Sequence, residues 1–144
     1  MSLEHFLQQF LTTFQQLGAN NLSPLSTLYT EDVVFSDPLG THLGLDQVTR
    51  YFENMYQEVS YLQFEFKAAW LAPPHHVTQP WRMTFQHQRL PQKSINVEGV
   101  SLLHFNNTGL VSQHQDFFDL GAMLYEQLPV LGKLIRFIKK KAAA

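Results

Sequence analysis

The hydrophobic period of this chain changes once, near residue 60, and that change limits the folds open to it. Residues 2–17 set Leu3, Phe6, Leu7, Phe10, Leu11, Phe14 and Leu17 at three- and four-residue spacing, one face of a helix that Gly18 ends. Ser23-Pro24 supplies a cap and first turn for a short helix through Tyr29. A third helix, Leu45 to Val59, turns Val48, Phe52, Met55, Tyr56 and Val59 inward. From residue 61 the period becomes two. Leu62, Phe64, Phe66, Ala68 and Trp70 alternate with polar residues, and Pro73-Pro74 stops the run. A second strand from Val77 to Arg89 places Trp81, Met83 and Phe85 on one side. Strands Ile95–Phe105 and Leu110–Phe118 flank Asn106-Asn-Thr-Gly109, which reads as a hairpin turn. Helices followed by a meander of long strands predict an α+β fold, a curved antiparallel sheet with helices packed on one face. At 144 residues the chain is expected to form one domain, with its core over about residues 3–119 and a C-terminal amphipathic helix over 120–141.

Composition narrows the function classes. Twelve Phe, five Tyr and two Trp make a high aromatic count, and rings not needed to seal the core can line a cavity for an apolar ligand, although core packing is the more common use. The absence of cysteine excludes disulfides and thiolate metal sites and fits a reducing cytoplasm, the expected location. His75-His76 has no further ligands at metal-binding spacing, and no metal is expected. Residues 1–132 hold 5 Lys or Arg against 12 Asp or Glu, net −7, whereas residues 133–144 hold five basic residues and no acid. The body should repel nucleic acid. In the tail, Leu124, Leu128, Leu131, Leu134, Ile135 and Ile138 fall at helical spacing, interrupted by Pro129 and Gly132 and closed by Lys139 to Lys141. Such a helix can cover the mouth of a cavity or form a homodimer surface. Contact with an anionic membrane is the weaker reading.

Leu25 to Gly40 is where chemistry is expected first. Val33, Val34 and Phe35 carry the chain into a strand that finishes at Asp37, and Pro38 holds Asp37 extended. A carboxylate ends an apolar run there, with no basic residue between Glu31 and Arg50. Two roles are open to Asp37: acid-base chemistry, or acceptance of backbone N–H bonds that close the loop from Leu39 to Gly44. On the last strand, alternation sets His114, Asp116 and Phe118 on one face. A His and an Asp two apart can share a substrate group, or simply satisfy one another.

The run Leu28-Tyr-Thr-Glu-Asp-Val-Val-Phe-Ser-Asp-Pro-Leu-Gly40 is followed by Gly44 and a helix. Together with the Pro80-Trp81-Arg82 strand and the Gly109 hairpin, it resembles the nuclear transport factor 2-like superfamily, and within it the ketosteroid isomerases and SnoaL-like polyketide cyclases. The resemblance implies a cone: a strongly curved sheet wrapped round the helices, enclosing an apolar pocket. Asp37 falls where ketosteroid isomerases keep the carboxylate that moves a proton between carbons. Their oxyanion-holding Tyr and protonated Asp fall on Thr13 and Ser101, much weaker donors, which argues against that reaction. The cyclases keep an acid-base Asp on the last strand, often near a His, and Asp116 and His114 match that pattern.

The resemblance therefore makes Asp37, His114 and Asp116 the candidate catalytic residues, and Phe14, Trp81, Met83, Phe85, Ser101 and Phe118 the candidate ligand wall, with no cofactor. Two functions follow. One is a SnoaL-like protein, expected as a homodimer, that binds a small hydrophobic molecule. The other is a cofactor-free acid-base enzyme of isomerase, cyclase or dehydratase type acting on a small hydrophobic carbonyl compound. The missing oxyanion donors favour the first, and the three polar residues favour the second.

Overall fold

The computed structural model describes residues 1–90, 94–123 and 129–144. Ser2 begins the first helix: its Oγ accepts a bond from the His5 N–H (3.2 Å), satisfying one free donor of the first turn. Helix α1 (Leu3–Phe14) buries Leu3, Leu7, Phe10 and Phe14, the predicted stripe. Helix α2 (Leu25–Leu28) ends one residue earlier than its spacing predicts, because Tyr29 is already extended and opens strand β1 (Tyr29–Asp37).

The segment expected as a loop after Asp37 is mostly strand. Strand β2 (Gly40–Leu43) folds back on β1 through Pro38-Leu39, with Asp37 opposite Gly40. Gly44, at φ +86°, then turns the chain into helix α3 (Leu45–Glu58), whose buried face is Val48, Phe52 and Tyr56.

The remaining strands are β3 (Val59–Phe66), β4 (Trp70–Ala72), β5 (His76–His87), β6 (Ile95–Phe105) and β7 (Val111–Phe118). The sheet order is β2-β1-β7-β6-β5-β3, with β4 also on β5. The sheet is curved and unclosed, and antiparallel throughout except where β1 and β7 run parallel with Phe35 opposite His114. That one parallel pairing joins the helical first half of the chain to its last strand. The Asn106–Gly109 turn forms as expected: Asn106 Oδ1 accepts from the N–H groups of Thr108 and Leu110 (2.9 and 3.0 Å).

The alternation predicted over 61–70 breaks after Phe66. Ala69 and Leu71 pack inward instead of Ala68 and Trp70, and Trp70 is 71% exposed. Pro80 explains the slip. It sits in β5 without an N–H, so the ladder beside it cannot continue unaltered. The buried Gln79 side chain bridges the gap, with Nε2 donating to the carbonyls of Lys67 and Pro80 (both 2.7 Å).

The C-terminal segment holds helix α4 (Leu120–Met123) and helix α5 (Pro129–Ala143). Leu124 and Leu128 lie outside the described residues. Neither of the predicted breakers interrupts α5: Pro129 is its first residue, where the missing N–H does no harm, and Gly132 lies within it. Lys139 forms an ion pair with Asp119, and Leu134, Phe137 and Ile138 are exposed. No described helix is long and apolar enough to cross a membrane.

Candidate active site

Between α1, α3 and the inner face of the sheet lies a cavity of about 340 Å³. Helices α1 and α3 supply Phe14, Tyr51, Phe52 and Met55, while β3 supplies Leu62 and Phe64. Strand β5 supplies Trp81, Met83 and Phe85, its inward positions at period two. Asp37 and Phe35 enter from β1, Asp116 and Phe118 from β7, and Met123 of α4 lies at one edge. The volume falls in the range of sites that take a small organic molecule.

Five of the six residues predicted as ligand wall line this space: Phe14, Trp81, Met83, Phe85 and Phe118. Ser101 stands behind them. It faces Asp116 directly across the β6–β7 ladder, which aims both side chains to the same face. Thr13, matched by resemblance to an oxyanion donor, lies outside the cavity, in a surface depression with Phe6, Thr27 and Gly109.

The two carboxylates on the wall are held differently. Asp37 has donors on both oxygens: Oδ1 accepts from the N–H groups of Leu39 (2.8 Å) and Gly40 (3.2 Å), and Oδ2 from the Tyr51 hydroxyl. It closes the β1–β2 turn in the manner of an Asx turn. Asp116 is bound on one oxygen. Ser101 Oγ donates to Oδ1, and His114 Nε2 lies 2.7 Å from the same atom. Among the described residues no donor reaches Oδ2, on a carboxylate that lines the cavity.

His114 does not line the main cavity. It is buried among Phe10, Phe14, Phe35 and Tyr29, with the Phe35 ring centroid 4.6 Å away, beside a recess of about 20 Å³. Its Nδ1 lies 2.7 Å from the Tyr29 hydroxyl. Burial pushes the Tyr29 hydroxyl well up from its ordinary pKa, and the charge of Asp116 and the nearby Tyr56 push the same way. Tyr29 therefore keeps its proton, and its hydroxyl and the Asp116 carboxylate take up the two ring nitrogens of His114. On the other side, Trp81 Nε1 donates to Ser101 Oγ (2.9 Å), which turns the Ser101 proton towards Asp116. A continuous chain results, Trp81 to Ser101 to Asp116, met from the far side by Tyr29 and His114. Its effect is to fix the Asp116 carboxylate in one orientation.

Tyr51 and Tyr29 carry this arrangement and were not among the predicted site residues. Tyr51 was legible: it lies three residues after Val48 and four before Met55, on the inward side of α3. Burial, then the hydrogen bond and charge of Asp37, then Asp116 push its hydroxyl far up, so its proton stays on oxygen, committed to Asp37. Burial also pushes Tyr56 up to about 12. His75, His76 and His104 cluster at one end of the sheet, but no group of three or more ligating side chains suited to a metal occurs among the described residues.

A cone-like α+β fold with a polar pair on the last strand defines a class, and comparison with known proteins agrees. The family model for the SnoaL-like domain matches residues 7–114, and the chain belongs to that family. No curated protein sequence matches it. Among solved structures, a hypothetical protein with a ketosteroid isomerase-like fold from Catenulispora acidiphila, in complex with trimethylamine, superposes with a TM-score of 0.71 at 19% identity, over 88% of this chain and 93% of that one. A candidate SnoaL-like polyketide cyclase from Shewanella denitrificans gives 0.69 at 16% identity, over 83% and 92%. TerC, co-crystallised with polyporic acid, gives 0.70 at 12% identity, over 83% and 92%. At these identities the likeness establishes the nuclear transport factor 2-like fold.

Proposed function

We propose that this protein binds a small, largely apolar molecule in the aromatic cavity and engages its polar group through Asp116. The observation that carries the reading is one carboxylate oxygen of Asp116 left without a protein donor, among the described residues, on a mostly apolar wall. That oxygen is open to the cavity, so a ligand that brings a donor to it gains a charge-assisted hydrogen bond there. Trp81 reports on the event, because it lies in the wall while the second tryptophan, Trp70, is on the surface. The test is native mass spectrometry of protein purified from its own host, with extraction of any retained compound. It is joined by titration of a Trp70→Phe variant with small aromatic and alicyclic compounds, followed by Trp81 emission. A retained apolar compound, or saturable quenching, is expected. An empty protein whose emission does not respond to the whole series refutes the reading.

A second reading is favoured by the fixed orientation of Asp116. A carboxylate held by Ser101 and His114, with its other oxygen turned to a bound molecule, is arranged to take a proton from carbon, as in a cofactor-free isomerase or cyclase. Against it, the two nearby ring donors are committed: the Tyr51 O–H to Asp37 and the Trp81 N–H to Ser101. An enolate oxygen formed in the cavity would find neither free to stabilise it. With the extracted compound in hand, turnover that disappears in Asp116→Asn while binding persists would establish catalysis. Binding without turnover in the parent protein would exclude it for that compound.

A further inference from the structure

The charge of the cavity wall limits which ligands can enter, and it has one sign. Of its ionisable carboxylates, Asp37 is surrounded by three donors and Glu58 is paired to Arg89 (2.9 Å) at the rim. Asp116 has neither form of compensation on its second oxygen. Among the described residues, no Lys or Arg lines the cavity. The two histidines near it do not reach that oxygen: His114 Nε2 lies against Oδ1, and His87 Nδ1 accepts from the Arg89 N–H (3.1 Å). A carboxylate facing a cavity of low polarity is unfavourable unless an opposite charge joins it. Around it stand the rings of Phe14, Phe35, Tyr51, Trp81 and Phe118, whose negative π faces attract cations and repel anions.

We propose that the ligand is a cation, an amine with an apolar body, whose ammonium group binds Asp116 Oδ2 within the aromatic wall. The proposal rests on the reading that this cavity is the ligand site, and it narrows that reading to one chemical class. An ammonium supplies both the missing donor and the missing counter-charge, where an alcohol supplies only the first and a carboxylic acid supplies neither. Selectivity against acids follows from the same geometry, since a carboxylate would meet Asp116 with no cation between them.

Three probes of matched shape separate the possibilities: 4-phenylbutylamine, 4-phenylbutanol and 4-phenylbutyrate, each titrated against the Trp70→Phe protein at neutral pH with Trp81 emission as the readout. The amine is expected to bind at least about tenfold more tightly than the alcohol, and the acid more weakly than either. Asp116→Asn keeps the shape of the site and removes its charge, so it is expected to abolish the preference for the amine while alcohol binding persists. Asp37→Asn leaves the Asp116 charge in place and is expected to preserve the preference. Equal or tighter binding of the alcohol or the acid overturns the amine proposal and leaves the cavity as a ligand site. An amine preference that survives Asp116→Asn also overturns it. Binding of none of the three overturns the amine proposal, while the cavity reading stands or falls with the extraction and the wider compound series.

Discussion

Gly99 is the position at which the geometry of the site can be broken most economically. It lies on β6 opposite Trp81 of β5, and a Cβ placed there would stand 2.4 Å from both Cη2 and Cζ2 of the Trp81 ring and 2.8 Å from the carbonyl oxygen of Phe117. Carbon atoms rest at about 3.5–4.0 Å, so in Gly99→Ala the indole must retreat by roughly 1 Å. The backbone oxygen of Phe117 gives little, being held in the sheet. The indole is tied at its other end by the 2.9 Å bond from Nε1 to Ser101 Oγ, and a shift of that size removes the bond. Overpacking costs about 1–3 kcal/mol and the lost hydrogen bond about 1 kcal/mol, a total of about 2–4 kcal/mol. For a chain of this length that corresponds to a Tm lower by roughly 5–15 °C. The assay is urea unfolding together with Trp81 emission in a Trp70→Phe background. The reasoning fails if Gly99→Ala unfolds within about 0.5 kcal/mol of its parent with unchanged emission, because the ring would then have had room that the structure does not give it.

Tyr29→Phe leaves His114 Nδ1 buried among rings without a partner and is expected to lower stability by about 1–3 kcal/mol in urea titration; no measurable change would mean that the Tyr29–His114 bond is not made. Asp37→Ala releases the N–H groups of Leu39 and Gly40 and the Tyr51 hydroxyl, for a loss of about 1–3 kcal/mol, while the affinity of any Asp116-dependent ligand stays within a few-fold; a selective loss of affinity at full stability would reassign Asp37 to the ligand. Burial, and then the charges of His76 and His75, hold the His104 pKa below its ordinary 6.5. The unfolded chain therefore takes up the His104 proton more readily than the folded one, so stability falls as the pH drops through the ordinary histidine range towards the lowered folded pKa. His104→Asn should flatten that dependence of the urea midpoint, and an unchanged slope would remove His104 as its source.

Much of the scaffold was legible because it is written in period. The stripe from Leu3 to Phe14, the inward Trp81, Met83 and Phe85, and the Asn106–Gly109 turn each follow from local rules that tertiary contacts do not override. The failures share one cause, a backbone donor or acceptor satisfied from far away. The alternation from Leu62 slips at Lys67 because Pro80, thirteen positions on, lacks an N–H, and Gln79 must bridge. Gly40–Leu43 becomes a strand because β1 offers it an edge, although no alternation of its own announces one. The site shows the same division. Strand period delivered Asp116 and four wall residues, Trp81, Met83, Phe85 and Phe118, and helical period delivered Phe14, whereas the partners that orient Asp116 come from β1, β5 and β6 and depend on sheet order.

Asp37 and Asp116 differ in their surroundings for the same reason. Each is an aspartate near the end of a strand, and only the Pro38 after Asp37 separates them locally. The fold completes the separation by counting donors. The β1–β2 turn brings two N–H groups to Asp37 and α3 brings a hydroxyl, so its charge is spent within the protein. Strand β7 lies between β1 and β6, and Asp116 receives one histidine and one serine from that environment, both on one oxygen. Removing Asp37 should therefore be felt as lost stability and removing Asp116 as lost selectivity, and the contrast between the two variants measures how the fold has divided its carboxylates between structure and ligand.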